Sequence, residues 1–212
     1  PRGAANPVRL YLDGVPPTQA KPVRAIAREL NLEPLARIMY GQRELFHSNF
    51  LAWFFDALPE LADSVFRDLT TMGTPADGVA RSVERESENL DLVLRWPGMA
   101  PLVIENKVFS LPERAQLDEY RVKTARWKGA AAQHVLLSMS PPREAIEGWT
   151  YLSYQELAER IDLAVADVED SAYEIETVRR YSRVVRLLSA LLDTTVVHSG
   201  EESAWLDSSQ LA

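Results

Sequence analysis

The sequence predicts an α/β fold with a mixed sheet flanked by helices, and three observations predict it. Three β-type runs lie close together at 79–86, 89–96 and 102–108. A helical stretch after Pro112 leads into a fourth β-type run, Gln133–Ser138, and helical periodicity occupies both flanks of this block. Strands with short links read as a meander, and a helix between two strands reads as a crossover within one sheet.

The N-terminal stretch comes first in that order. Pro1, Pro7, Pro16, Pro17 and Pro22 interrupt residues 1–24 without periodicity, so this stretch reads as an irregular arm. Helical patterning runs from Val23 to Leu58, with breaks near Asn31 to Pro34 and near Gly41, and is most amphipathic from Gln42 onward. Pro97-Gly98 marks the turn between the second and third strands. Pro112 suits the first position of a helix reaching about Lys128, because its missing N–H is lost there at no cost. After Pro141-Pro142, Tyr151 and Leu152 read as an edge strand, and helices follow at 154–166 and 172–192. The expected organisation is a single domain over 25–193 with a polar tail at 194–212.

Composition narrows the function classes. Hydrophobic residues make up 46% and charged residues 25% of the 212, which is globular rather than disordered. No apolar run of about 18 residues exists and the start lacks a basic segment followed by an apolar one, so the expected home is the cytoplasm, without a membrane partner. The absence of cysteine excludes disulfides, thiolate metal sites and a cysteine nucleophile. The net charge of -8 argues against binding nucleic acid by overall positive charge, which leaves any such contact to local patches.

The chemistry concentrates on two strands. Alternation puts Val103, Glu105 and Lys107 on one face and Ile104, Asn106 and Val108 on the other. A carboxylate and an ammonium on an otherwise apolar strand need pairing or an ion, since burying bare charge is costly. The preceding strand points Leu90, Leu92 and Leu94 one way and Asp91 the other. At about 4 Å, Asp91 and Glu105 would repel by about 4 kcal/mol at an effective dielectric of about 20, so a positive group belongs between them. A hard cation such as Mg²⁺, which takes carboxylates, water and substrate phosphate, suits oxygen donors of this kind. His47, His134 and His198 show no zinc spacing.

These residues, in this order, resemble the PD-(D/E)XK, or restriction-endonuclease-like, nuclease superfamily. Asp91 stands for the acidic residue of the second core strand and Ile104-Glu105-Asn106-Lys107 for the Glu-x-Lys of the third. Gln116-Leu117-Asp118-Glu119-Tyr120 is similar to the Gln-x-x-x-Tyr of members resembling the nuclease domain of RecB, and Glu44 to a glutamate on the first helix. The stretch 149–157 resembles a branch of small bacterial proteins in the same superfamily. No proline precedes Asp91, a departure that members share.

The resemblance implies an α-β-β-β-α-β restriction-endonuclease-like core with extra C-terminal helices. It also implies a Mg²⁺- or Mn²⁺-dependent nuclease acting on nucleic acid, DNA foremost. Asp91, Glu105 and the Asn106 carbonyl would hold metal, with Glu44 or Glu86 as a further ligand. Glu105, Lys107, Asp91 and Glu44 would be catalytic, and Gln116 and Tyr120 would place the strand. The alternatives are a silent module for nucleic-acid binding or assembly, an RNA-directed nuclease, and action as a homo-oligomer or with a partner protein.

Readings from periodicity stand beside these. Glu44, Ser48, Leu51, Phe55 and Leu58 form one helical stripe, although a first-turn carboxylate is also favoured by the helix dipole alone. Gln116, Tyr120, Lys123 and Trp127 form another stripe, too polar for a plain core helix. Glu84, Glu86 and Glu88 alternate on the first strand, the pattern of a solvated face. Five cations against three carboxylates leave the crossover helix two positive, a local phosphate-attracting patch. Arg179, Arg180, Arg183 and Arg186 form a second cluster, open to nucleic acid or to solvent, while His47 and His134 read as structural.

Overall fold

Period-two alternation of apolar residues builds the sheet that the rest of the chain packs against. A computed structural model describes residues 17–39, 43–69, 81–96, 98–108, 110, 112–169 and 172–194. Strands β1 (Ser82–Ser87), β2 (Leu90–Arg95) and β3 (Leu102–Lys107) form an antiparallel meander. Strands β4 (Gln133–Ser138) and β5 (Thr150–Ser153) add to it in parallel, giving the order β1-β2-β3-β4-β5. The crossover from β3 to β4 is helix α5 (Arg114–Thr124), as the sequence predicts, though shorter at both ends. Glu113 occupies the cap position with extended backbone, which sets Pro112 outside the helix.

The β1–β2 turn corrects one expectation. Glu88 and Asn89 have φ of 54° and 65°, the left-handed pair that closes a tight hairpin around Ser87 and Leu90. Glu86 also has a positive φ, 51°, so the chain rotates there and Glu84, Glu86 and Glu88 do not line one regular face. Glu84 instead accepts hydrogen bonds from Arg95 and Ser87.

Helices cover the two sheet faces unequally. On one face Leu92, Leu94, Leu102, Ile104, Val135, Leu137 and Leu152 form a single core with α3 (Arg43–Ala57), α4 (Pro59–Phe66), α6 (Tyr154–Ala164) and α7 (Tyr173–Thr194). Each fully buried Leu or Phe contributes about 1.5–3 kcal/mol, so this aromatic-rich layer fixes where the helices sit. On the other face Leu90, Val93 and Val103 cluster with Tyr120 of α5, against Trp127, Ala132 and Trp149. Leu90 thus parts from Leu92 and Leu94, with which alternation groups it, because it is the first residue of β2 after the left-handed hairpin turn. That thinner layer leaves the ends of β2 and β3 free to carry polar groups.

Two helical boundaries differ from the sequence reading. Helix α1 begins at Pro17, so residues 17–24 of the expected irregular arm are helical, while residues 1–16 lie outside the described residues. A first-turn proline is compatible with a helix start, and the buried Val23, Ala27 and Leu30 repeat at helical spacing. The helical stretch that was expected to end at Leu58 bends there and continues as α4, again with proline at its first position. Short α2 (Pro34–Ile38) follows α1, and a cluster of Val23, Leu30, Met39, Val184, Leu188 and Leu191 seats both against α7. The C-terminal helices are therefore part of the core: Val178, Tyr181 and Val185 are fully buried in it.

Candidate metal and nuclease centre

Register brings the two acidic strands together. Pairing between β2 and β3 includes Leu92 with Ile104, and one further step in the same register sets Asp91 opposite Glu105. Strand pairing gives way there to a side-chain bond, in which the Asn106 N–H donates to Asp91 Oδ2 at 2.8 Å. On the other edge, the Lys107 carbonyl accepts from Met139 N–H at 3.1 Å. Successive residues of a strand direct their backbone groups to opposite edges, so the Asn106 carbonyl is on the β2 side with Asp91.

Glu105 and Lys107 share the α5 face, as alternation predicts. Lys107 Nζ lies 2.9 Å from Glu105 Oε1, with the glutamate side chain 1% exposed and the lysine 12%. Glu105 Oε2 is buried with no hydrogen-bond partner. Burial, then the Asp91 charge, push the Glu105 carboxyl up to about 7, against the pull of Lys107 and with a further push from Glu44. Burial also raises Asp91, opposed by the Asn106 N–H and Lys107 and reinforced by Glu44 and Glu86. For Lys107, burial pulls its pKa down, but the bond to Glu105 and the charges of Glu105, Asp91 and Glu44 outweigh it, and the net direction is up. Two carboxyls held above their ordinary range, one with an unpartnered oxygen, form an anionic pocket short of positive charge.

The flanking helices supply the remaining candidates. Glu44 stands in the first turn of α3 and accepts from Ser110 Oγ at 2.5 Å. Glu86 is close enough to act on Asp91 electrostatically, which keeps it beside the site in spite of its left-handed backbone. On α5, Gln116 Nε2 donates to the Tyr120 hydroxyl at 2.8 Å. Tyr120 is mostly buried, and burial followed by the Glu105 charge raises its hydroxyl pKa. Lys123 lies 5.5 Å from the Tyr120 ring centroid and donates to the Glu88 carbonyl at the hairpin turn. Trp127 packs under the Arg95 guanidinium at 4.0 Å. The expected stripe thus divides between α5, which carries Gln116, Tyr120 and Lys123, and the turn beyond it, which carries Trp127 against Arg95 of β2.

Other sequence candidates are elsewhere. Arg179 donates to the Val165 and Val168 carbonyls, Arg180 pairs with Glu176 and Glu33, Arg183 with Glu29, and Arg186 with Asp162. This arginine cluster therefore clamps α7 to α1, α2 and α6. His134 shares a 2.8 Å bond with Thr124 Oγ1 and fastens α5 to β4, in keeping with its structural reading. His47 shares a 2.8 Å bond with the Tyr181 hydroxyl inside the core.

The sequence reading missed the partners of the Asn106 side chain. Its Nδ2 donates to the Glu44 carbonyl at 2.8 Å and to Ser48 Oγ at 3.2 Å, and its Oδ1 accepts from the Tyr154 hydroxyl. The available signal was Asn106 itself, a polar residue on the apolar face between Ile104 and Val108, where a buried amide must find partners.

Among the described residues no three His, Cys, Asp or Glu side chains gather as a ready metal cage. The donor set nevertheless fits a hard cation: an unpartnered Glu105 oxygen, the neighbouring Asp91 carboxyl and a strand-edge carbonyl are all oxygen ligands. No described helix is long and apolar enough to cross a membrane.

Fold and centre together define a nuclease-type α/β domain with an acidic pair and a lysine on adjacent strands. A family model of the PD-(D/E)XK nuclease superfamily matches residues 34–183, and the chain belongs to that superfamily. The matched span runs from α2 into α7 and encloses every candidate site residue. No curated protein and no solved structure matches the chain.

Proposed function

We propose that this protein is a metal-dependent nuclease that hydrolyses phosphodiester bonds, with DNA as the first substrate to be expected. The observation that carries this reading is the arrangement of Asp91, Glu105 and Lys107, in which one buried Glu105 oxygen faces no hydrogen-bond donor. Asp91, Glu105 and the Asn106 carbonyl would hold one or two Mg²⁺ or Mn²⁺ ions, with Glu44 or Glu86 serving a further ion or a bound water. Such an ion, when bound, lowers the pKa of its water and stabilises charge on the phosphate.

The chain's own groups do the rest. Lys107 stays cationic because, against the opposing effect of burial, its bond to Glu105 and the charges of Glu105, Asp91 and Glu44 raise its pKa. It orients the attacking water and offsets the negative charge that develops on the scissile phosphate. Gln116 and the Tyr120 hydroxyl, bonded to each other on α5, offer hydrogen-bonding groups that position the strand. Lys123 on α5, with the exposed Arg126 and Lys128 just beyond it, would add local attraction for phosphate in a chain whose net charge is -8, while Arg114 and Arg121 pair with Asp118.

The test is incubation of the purified chain with single- and double-stranded DNA and RNA, each with Mg²⁺, Mn²⁺ or chelator. Cleavage that needs the ion and disappears in Lys107→Ala supports the reading, and the panel identifies the polymer. Absence of cleavage in every arm, or full cleavage by Lys107→Ala, overturns it and favours a silent binding module.

A further inference from the structure

The middle residue of the Glu-x-Lys motif is joined by hydrogen bonds to two helices on the face opposite the acidic pair. Asn106 is 1% exposed and Tyr154 is fully buried, at the first position of α6 directly after β5. Burial holds the Tyr154 hydroxyl pKa well above the ordinary tyrosine value, so it stays a donor, and Asn106 Oδ1 accepts its hydrogen. The two N–H groups of the same amide go to the Glu44 carbonyl and Ser48 Oγ, and Ser48 Oγ in turn donates to that carbonyl at 3.1 Å.

An asparagine amide offers two donors and one acceptor oxygen, and here all three take part in one enclosed network. The Glu44 carbonyl thereby receives bonds from β3 and from its own helix, which fixes the first turn of α3 on the sheet. The Glu44 carboxylate, carried by that turn, raises the pKa values of Asp91, Glu105 and Lys107. Tyr154 lies 48 residues from Asn106 in the chain, and Asn106 lies 62 from Glu44, so only the packed core can establish this relay.

We propose that Tyr154, acting through the Asn106 side chain, is a positioning residue that holds the first turn of α3, and with it Glu44, against the Asp91–Glu105 pair. The proposal rests on the nuclease reading, because Glu44 matters there as an additional ligand to ion or water. Residues supporting metal ligands in this way commonly change metal affinity by about 10–100-fold when removed. A network that only stabilised the core would instead weaken the fold without regard to whether Glu44 is a carboxylate.

A double-mutant cycle on Mn²⁺ binding separates the two. Tyr154→Phe keeps the ring and removes the hydroxyl that donates to Asn106. Calorimetry with Mn²⁺ is carried out on the unsubstituted chain, Tyr154→Phe, Glu44→Gln and the double variant, with circular dichroism as the check on folding. The expected result is binding weaker by about tenfold in Tyr154→Phe, with the same substitution causing no further loss once Glu44 is Gln. Unchanged affinity in Tyr154→Phe, or an equal loss in both backgrounds, overturns the proposal while leaving the nuclease reading in place.

Failure of the unsubstituted chain to bind Mn²⁺ would overturn the metal reading, and this proposal with it. If Tyr154→Phe does not fold, Ser48→Ala breaks the same network at the α3 side. It is expected to weaken Mn²⁺ binding only when Glu44 is present, and equal losses in both backgrounds would overturn the proposal.

Discussion

Lys107 holds one oxygen of Glu105 at 2.9 Å while the other oxygen of the same carboxyl is buried without a partner. Two residues apart on β3, they share a face, and burial and the Asp91 charge outweigh the pull of the lysine on the glutamate. The site is thus electrostatically incomplete in a way that a cation or a bound proton would complete.

Removing the lysine should therefore affect chemistry and stability differently. Lys107→Met is expected to lower metal-dependent cleavage at least about 10²-fold at saturating Mg²⁺, the scale of a lost general acid–base or orienting group. Breaking a buried ion pair costs up to about 3–5 kcal/mol when the remaining charge stays ionised. Glu105 can escape by taking up a proton, so the stability loss should be small at pH 6 and larger at pH 8. Denaturant unfolding at the two pH values measures it, and an equal loss at both would contradict the account.

Glu105 itself should leave a signature in metal-free protein. Its folded pKa, about 7, is above the ordinary 4.5, so the folded state holds the proton more tightly than the unfolded chain. The resulting stabilisation is full below about 4.5 and is lost as pH rises through about 7. The unfolding free energy of the unsubstituted chain minus that of Glu105→Gln should fall across this window in chelator and level off above it. Metal binding should release a proton near pH 6, so Mn²⁺ affinity should be greater at pH 8. Calorimetry in buffers of different ionisation enthalpy reads both, and pH-independent binding would refute the linkage.

His47 should act in the opposite sense. Burial lowers its pKa from 6.5 to about 3, so the imidazole is neutral in the fold and charged in the acid-unfolded chain. Its contribution is present above 6.5 and is lost as pH falls toward about 3. His47→Phe forfeits the bond to Tyr181, worth about 1 kcal/mol, yet has no imidazole to charge. The two unfolding curves should therefore converge on acidification. His134, lowered to about 4, has the same slope in both proteins and cancels in the difference. Parallel curves from pH 7 to pH 4 would rule out the assignment.

Much of the site's geometry was legible because strand periodicity is strict. Once β3 is recognised as a strand, alternation sends Glu105 and Lys107 to one face and Asn106 to the other, while setting Asp91 opposite Glu105 needs the register of β2 against β3. The stripe of Glu44, Ser48 and Leu51 follows in the same way from helical spacing, and Ser48 and Leu51 are indeed buried. The α4 helix escaped notice because one residue, Leu58, separates it from α3, too short a gap for periodicity to register. Glu86 and Glu88 are exposed, as a solvated row requires, but they share no regular face with Glu84, because three positive φ values at the hairpin interrupt the alternation.

The arginine cluster on α7 shows the same limit from the other direction. Sequence gives its charge, but only packing decides whether arginines meet solvent, a ligand or the carboxylates of α1, α2 and α6.

The order of the five strands and their crossover helix, the alternation of β3, and the presence of two carboxylates with a lysine were legible in the sequence, since they follow from local periodicity and residue chemistry. The tertiary structure alone decided that one Glu105 oxygen is left without a donor, that Asn106 ties α3 to α6, and that the last helix belongs to the core. Those depend on which groups meet across tens of residues, and that is set by how apolar faces pack together rather than by any neighbouring position in the chain.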